Sequence, residues 1–403
     1  MPPFPASAAG TTELVARSRR RLALVGAAGL AALAVAGCSN TSTNSSNNVS
    51  LIPGRTLGIV VSAPAGYSKN PVYADIVDAE NLAFNNQRKQ VKHFTLGEVV
   101  LSAPRVSDNA RSALIYSNTV AYLGELQPGY SDQTAGIVND LGILQVSPTD
   151  TALELAQPTP AVAGGPRSYF QQWGTFGRTF ARVVPSSAQE AAAQVAELQQ
   201  LKLTSLYIGS DSSDYGRALA DMMRSNAHGA GITLTHNPTG AAAIFYAASS
   251  PSKAVAFFNK SASANPSAKL FGTSALDTPA FTKALSAAAA AQLYVTTPGF
   301  TGKSAPVGVA KFNKLFKIAY GHEPAGEAIF GFEAMSAVIN ELIKLGPNAD
   351  NRKDVVKAFL NSTHDGTVLG DYKINGAGDS SLDAFVWNRV VDGNLVPFKQ
   401  AAQ

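Results

Sequence analysis

Residues 120–151 read VAYLGELQPGYSDQTAGIVNDLGILQVSPTDT, and the fold class can be inferred by starting from them. Two short apolar runs, 120–123 and 143–146, have the length and the β-branched content of buried strands. The residues at 132–140 form a helix candidate, and polar loops rich in Ser, Thr, Tyr and Asp follow each strand. This strand–loop–helix–strand unit is the building block of a parallel α/β sheet.

The same alternation continues on both sides of this unit. Further strands are predicted at 57–61, 98–101, 180–184, 205–208, 232–235, 244–246, 269–271 and 293–296. Further helices are predicted at 71–86, 188–201, 214–227, 252–260, 279–290, 307–320, 326–345 and 352–360. Because 403 residues exceed the usual size of one core, we expect an α/β fold of two doubly wound, mainly parallel-sheet lobes joined by a hinge.

One connection does not fit this pattern. The predicted strands 232–235 and 244–246 are separated by only eight residues, 236–243. A crossover between neighbouring parallel strands needs about a dozen residues or more. Either these strands are not parallel neighbours, or one of the two strand predictions is wrong.

The N-terminus has the pattern of an export signal. Residues 17–38 read RSRRRLALVGAAGLAALAVAGC: a basic cluster, an apolar run of 16 residues and the single cysteine, Cys38. The run is short for a membrane span and ends in a sequence that resembles the bacterial lipobox, which implies a signal peptide over 1–37 and lipidation of Cys38. The alternative is a buried cysteine at the end of a core helix. Residues 38–50, almost entirely Ser, Thr and Asn after the cysteine, are predicted to be a flexible tether.

Charge and cysteine content exclude other classes. The formal net charge is +4, but residues 1–37 contain four arginines and one glutamate, so the rest of the chain keeps only +1. A chain so close to neutral has no electrostatic basis for binding nucleic acid. A single cysteine cannot form a disulfide within the chain.

The arginines of residues 17–21 also resemble a twin-arginine export signal, so the sequence leaves the export route open.

No catalytic motif is present. The five histidines lack the spacing of metal ligands, and neither a phosphate-binding glycine loop nor a G-x-S-x-G turn occurs. Residues 250–253 (SPSK) match the S-x-x-K spacing of serine acyl-enzymes without its companion motifs. We therefore predict no enzyme activity, no metal and no cofactor; a hydrolase without a known motif is the minor alternative.

Several segments in order carry a resemblance to the leucine/isoleucine/valine-binding family of ABC-transporter substrate-binding proteins, which have the type I periplasmic binding fold. The unit at 120–151 is similar to the family's first-lobe strand, ligand loop, helix and next strand. The other segments are FAR at 180–182, DSSDYG at 211–216, KLFGTSAL at 269–276, YVTTP at 294–298, FNKLFKIAYGHE at 312–323 and GFEA at 331–334. The resemblance covers about residues 57–393.

The resemblance implies a ligand site between the lobes. By position its residues are Tyr67, Tyr130, Ser131, Thr149, Thr151, Tyr215 and Ser274. In the family the first-lobe loops hold the ligand's carboxylate, and an acid of the second lobe binds its ammonium group. Pro128 here replaces a first-lobe serine, and Ser274 stands in place of that acid. A carboxylate or neutral polar ligand without an α-ammonium group is therefore expected, because a buried ammonium needs a paired acceptor.

Three acids, Asp150, Glu125 and Asp277, are alternatives for the missing one. The implied function is a lipoprotein on the outer face of the cell membrane that delivers a small polar solute, amino-acid-like or a carboxylate, to an ABC-transporter permease. A lipoprotein of the same fold that regulates a cell-envelope enzyme or sensor is the alternative. The predicted lobes and connections are 51–170 plus 293–368, 171–292 plus 369–403, and hinges near 167–178, 291–293 and 367–370.

Overall fold

The computed structural model describes residues 55–87 and 90–402. The predicted signal peptide, Cys38 and the whole predicted tether, 38–50, lie outside these residues. The strands are β1 (Thr56–Ser62), β2 (Gln90–Val91), β3 (Phe94–Leu101), β4 (Thr119–Leu123), β5 (Leu144–Ser147), β6 (Phe180–Arg182), β7 (Ser205–Ser210), β8 (Thr233–Thr235), β9 (Ala243–Ala247), β10 (Lys269–Gly272), β11 (Leu293–Pro298), β12 (Thr363–Thr367), β13 (Gly370–Lys373), β14 (Phe385–Val391) and β15 (Asn394–Gln400).

Helices fill most connections between these strands. They are α1 (Pro71–Asn86), α2 (Val106–Ile115), α3 (Ala135–Asn139), α4 (Trp173–Phe176), α5 (Ser187–Gln200), α6 (Asp214–Gly229), α7 (Pro251–Ala264), α8 (Pro279–Thr282), α9 (Ala287–Gln292), α10 (Val307–Tyr320), α11 (Ala328–Leu345) and α12 (Arg352–Phe359). In the part of the chain that is described, no helix combines the length and apolar character needed to cross a membrane.

The first sheet has the strand order β2-β3-β1-β4-β5-β6, and its strands are parallel except for β2. Helices cover both faces, which explains why residues 57–61 of β1 carry no polar side chain. Leu57, Ile59 and Val61 face the core formed with α1 and α11, whereas Val60 faces the smaller core on the α2 side. We call this sheet with its helices the first lobe.

The second sheet has the order β15-β14-β11-β10-β9-β7-β8. Strands β7 to β11 are parallel, and β14 and β15 close the edge as an antiparallel hairpin. Phe245 and Phe271 face the core shared with α5 and α6, whereas their neighbours Ile244 and Leu270 face α7. This sheet with its helices is the second lobe. Two mainly parallel sheets, each covered on both faces, confirm the predicted fold class.

The short connection between β8 and β9 is possible because β8 is only three residues long. The two strands are parallel but not neighbours, because β7 lies between them and pairs with both. The first of the two sequence-based alternatives is therefore correct. The seven residues at 236–242 can return past so short a strand as an extended chain, and β8 remains an edge strand with a largely exposed surface.

Two strands lie in the opposite sheet from the one that the predicted lobe boundaries gave them. β6 pairs with β5 in the first sheet, and β11 pairs with β10 and β14 in the second. The chain therefore passes between the sheets after β6, after β11 and before β14. All residues of β6 and β11 are buried, and a short buried strand fits either sheet, so the local pattern did not indicate which strands they pair with.

Hydroxyl side chains cap the N-termini of α6 and α8. The Ser213 hydroxyl accepts a hydrogen bond from the Gly216 N–H at the start of α6, and Thr278 does the same for the Phe281 N–H at α8. Ser131 does not cap a helix in this way. It lies instead within the 3-10 helix Ser131–Gln133, and its hydroxyl accepts a hydrogen bond from elsewhere in the loop.

Candidate functional site

The carboxyl ends of β4 and β5 bring two polar loops together. The Asp150 carboxylate, in the loop after β5, accepts hydrogen bonds from the N–H groups of Gly129 (2.7 Å), Ser131 (2.9 Å) and Ala152 (3.0 Å). Its side chain is fully buried. Ser147 fixes the same loop, because its hydroxyl accepts a hydrogen bond from the Asp150 N–H at 2.8 Å. The two loops therefore form one rigid edge.

The predicted first-lobe ligand residues have hydrogen bonds within this edge. The Ser131 hydroxyl accepts from the Glu125 N–H at 3.1 Å, and the Thr149 hydroxyl donates to the Leu126 carbonyl at 2.5 Å. Both side chains are buried, whereas Tyr130 is half-buried. The hydroxyls of Ser131 and Thr149 thus hold the loops in place in this structure.

Three predicted residues meet across the two lobes. The Thr151 and Ser274 hydroxyl oxygens lie 3.2 Å apart, and the Ser274 hydroxyl lies 3.4 Å from the Tyr215 hydroxyl. Thr151 follows β5 in the first lobe, whereas Tyr215 and Ser274 follow β7 and β10 in the second. Tyr67 lies apart from this contact, in the 3-10 helix Tyr67–Lys69, half-buried against the first core.

Further contacts join the loops of the two lobes. The Gln127 side-chain amide donates to the Ser249 carbonyl at 2.8 Å, and the Tyr169 hydroxyl donates to the Asp214 carboxylate at 2.8 Å. Gly129 has a positive φ of 85°, and a Cβ built on it lies only 2.8 Å from Cβ of Tyr215. The loops at the carboxyl ends of both sheets therefore face and touch each other.

Glu190 is a buried acid at this contact that the sequence reasoning missed. Its carboxylate accepts hydrogen bonds from the Ser274 N–H (2.7 Å), the Ser274 hydroxyl (3.1 Å), the Thr296 hydroxyl (2.7 Å) and, more weakly, the Tyr215 hydroxyl (3.3 Å). Burial raises the pKa of Glu190 to about 7, although these hydrogen bonds lower it. The chain thus places a carboxyl group directly behind Ser274.

The sequence contains a signal for Glu190. Polar residues Glu190, Gln194 and Glu197 recur at helical spacing in α5, and all three are buried. A polar stripe at that spacing normally indicates a solvated helix face. Here Gln194 donates to the Gly272 carbonyl and to the Thr296 hydroxyl, both at 2.9 Å, so part of the stripe points into the second lobe.

Two more acids with raised pKa values, Asp277 and Glu327, lie in different lobes. Glu327 precedes α11 in the first lobe and is only 5% exposed, whereas Asp277 follows Ser274 in the second lobe. Burial raises the pKa of both, and the charge of Asp277 raises that of Glu327 further. Burial and the charges of Glu327, Tyr130 and Asp277 likewise raise the pKa of Tyr73.

Of the acids considered for the ammonium role, Glu125 and Asp150 are already engaged. Glu125 accepts hydrogen bonds from the hydroxyls of Ser62 (2.8 Å) and Tyr122 (2.7 Å) inside the first lobe. Burial raises the pKa of Glu125 to about 7. Within the described residues, no group of three or more His, Cys, Asp or Glu side chains could hold a metal ion. The arrangement offers hydrogen-bonding groups from two facing lobes.

Neither a protein-family model nor a curated protein sequence matches the chain. Solved structures do. The leucine-binding protein LivK of Thermotoga maritima matches with a TM-score of 0.69 and 17% identity, over 86% of this chain and 98% of LivK. An ABC-transporter substrate-binding protein of Desulfitobacterium hafniense in complex with Leu gives a TM-score of 0.67, 19% identity and coverages of 85% and 100%.

A solute-binding protein of an ABC transporter from R. palustris, in complex with benzoate, matches with a TM-score of 0.63 and 16% identity, over 86% of this chain and 96% of that protein. At such identities the likeness establishes the fold. The fold implied by the sequence resemblance is confirmed: this chain has the type I periplasmic binding fold.

Proposed function

We propose that the protein is an extracytoplasmic solute-binding lipoprotein, which holds a small polar solute between its lobes and delivers it to an ABC-transporter permease. The observation that carries the proposal is the meeting of Thr151, Tyr215 and Ser274 across the carboxyl ends of two parallel sheets. Ligands of open α/β sheets bind at such edges. The neighbours of the same fold named above are substrate-binding proteins, two of them in complex with Leu or benzoate.

A solute screen tests this proposal. We expect one class among amino acids, amines, aromatic acids and sugars to raise the melting temperature, since a ligand at a hundred times its Kd adds about 2.7 kcal/mol of stability. Thr151→Val should weaken the binding of that solute, whereas Thr239→Val, on the exposed β8–β9 loop, should leave its binding unchanged. If no solute stabilises the protein and a membrane protein co-purifies instead, the regulatory alternative is favoured.

Lobe closure is the second part of the proposal. The lobes are joined by three chain passages and should rock as nearly rigid bodies around the solute. Small-angle scattering should give a smaller radius of gyration with the solute than without it. An identical profile at saturation would contradict a closing cleft.

The lipid anchor rests on the order of basic, apolar and small residues before Cys38. We expect Cys38→Ser to release the protein from the membrane fraction into the soluble fraction, because acylation needs the thiol. Ser39→Ala is the matched control and should stay with the membrane. A Cys38→Ser variant that remains membrane-bound would contradict the lipobox assignment.

A further inference from the structure

The Asp150 carboxylate is bound in the way a protein binds a free carboxylate. It is fully buried and held by three backbone N–H groups, those of Gly129, Ser131 and Ala152. Among the described residues, no Lys, Arg or His forms an ion pair with it. The nearby Arg182 donates to the Asp150 carbonyl oxygen, at 2.9 Å, and not to its carboxylate. Three convergent N–H groups therefore supply the hydrogen bonds of this carboxylate.

This carboxylate lies at the edge that faces the second lobe. Two of its donors belong to the loop in which Gly129 packs against Tyr215. The residue that follows it, Thr151, contacts Ser274. A solute between the lobes would meet the first lobe at these loops.

The surroundings disfavour a second anion. Burial, and with it the negative charge of Asp150, raises the pKa of Asp132 to about 7 and that of Glu154 to about 8. A solute carboxylate would therefore meet N–H groups that are already bonded and a negative charge close by. Across the cleft, Glu190 and Asp277 also present carboxyl groups rather than cations.

We propose that Asp150 is a built-in carboxylate which fills the anion-binding position of the cleft, so that the transported solute has no carboxylate at that end. This inference rests on the proposed function and narrows its solute class. It replaces the sequence-based expectation that a ligand carboxylate would bind at Tyr130, Ser131, Thr149 and Thr151. Asp150 thereby becomes a specificity-determining residue.

The test is a gain of binding in Asp150→Ala, measured by calorimetry with leucine, its keto acid 4-methyl-2-oxopentanoate and its amine 3-methylbutylamine. Freeing the N–H groups should improve the affinity for both carboxylates about a hundredfold, which corresponds to ~2.7 kcal/mol. The affinity for the amine should not improve. Asp150→Ser is a second variant, in case the alanine variant does not fold.

Asp211→Ala is the matched control. The Asp211 carboxylate also accepts from three N–H groups, those of Ser213 (3.1 Å), Ser249 (2.9 Å) and Ser250 (3.0 Å), but in the second lobe. We expect no gain of carboxylate binding there. An equal gain in both variants would overturn a specific role of Asp150.

Two further results would overturn the inference. One is a folded Asp150 variant with unchanged affinity for both carboxylates, which would make Asp150 only a clip between loops. The other is sub-micromolar binding of leucine or its keto acid to the unmodified protein, which would leave the proposed function intact. If no solute binds the unmodified protein, the result counts against the proposed function instead. A gain of carboxylate affinity in Asp150→Ala would still support the inference.

Discussion

Arg182 should be one of the most costly residues to replace in this protein. It ends β6 and is fully buried. Its guanidinium donates to the carbonyls of Asp150 (2.9 Å) and Ala152 (2.6 Å), and its Nε lies 3.2 Å from the Asp379 carboxylate, close but not aligned as a hydrogen bond. Arg182→Met keeps most of the side-chain volume and removes all three interactions.

The expected loss follows from these contacts. Breaking a buried ion pair by removing one partner costs about 3–5 kcal/mol, because the other charge stays buried. Each carbonyl that loses its donor adds on the order of 1 kcal/mol, although the contributions are not additive. We therefore expect Arg182→Met to lower the free energy of unfolding by about 4 kcal/mol, a large share of the ~5–15 kcal/mol typical of proteins.

Urea unfolding followed by circular dichroism measures this loss as a shift of the midpoint at constant m. Arg352→Met is the matched control, since Arg352 is also buried and donates to two carbonyls, those of Thr119 and Ser117, with no carboxylate partner among the residues that the structure describes. Asp379→Asn in the Arg182→Met background should recover part of the loss. A loss below about 1 kcal/mol, or one no larger than that of the control, would refute the reasoning.

Two other predictions concern pH and backbone strain. Burial raises the pKa of Glu190 to about 7 and that of Glu154 to about 8, so the folded protein keeps protons that the unfolded chain releases near pH 4.5. The stability that these two groups contribute is fully present below pH 4.5 and is lost as pH rises through 7–8. Urea titrations should therefore give a free energy of unfolding several kcal/mol lower at pH 8.5 than at pH 5, with a smaller difference for Glu154→Gln. A free energy of unfolding that rises with pH over this range would contradict the assignment. Gly129→Ala should lower stability by about 1–3 kcal/mol through its positive φ and the clash with Tyr215, whereas Gly174→Ala, with open space around it, should not.

Local patterns in the sequence were sufficient to predict the fold class. The strand predicted at 57–61 is β1, Thr56–Ser62, and the helix predicted at 326–345 is α11, Ala328–Leu345. Both follow from side-chain periodicity, which depends on residues a few positions apart. The sheet to which β6 and β11 belong depends instead on distant partners, and no local pattern records it.

The candidate site divides in the same way. Thr151, Tyr215 and Ser274 could be named because the family resemblance implies ligand contacts at these positions, each of which follows a predicted strand. The buried position of Glu190 could not be predicted, since the polar stripe of α5 normally indicates a solvated helix face and its main partner, Ser274, is 84 residues away. The role of Asp150 as a bonded anion also depends on a contact between two loops, 21 residues apart for Gly129. The sequence identified Asp150 as an acid near the site, and the structure gives its partners.

The closing hairpin of the second sheet has a consequence for biosynthesis. β14 pairs with β11 and carries Trp387, which is fully buried and packs its ring edge-on against Phe271 (5.9 Å) and Tyr294 (6.2 Å). A ribosome makes this segment after strands β7 to β11, so the second lobe lacks its largest aromatic residue and one sheet edge until β14 has been synthesised. Until then β11 exposes an unpaired edge, which is prone to aggregation. A nonsense codon before residue 385 would make that exposure permanent.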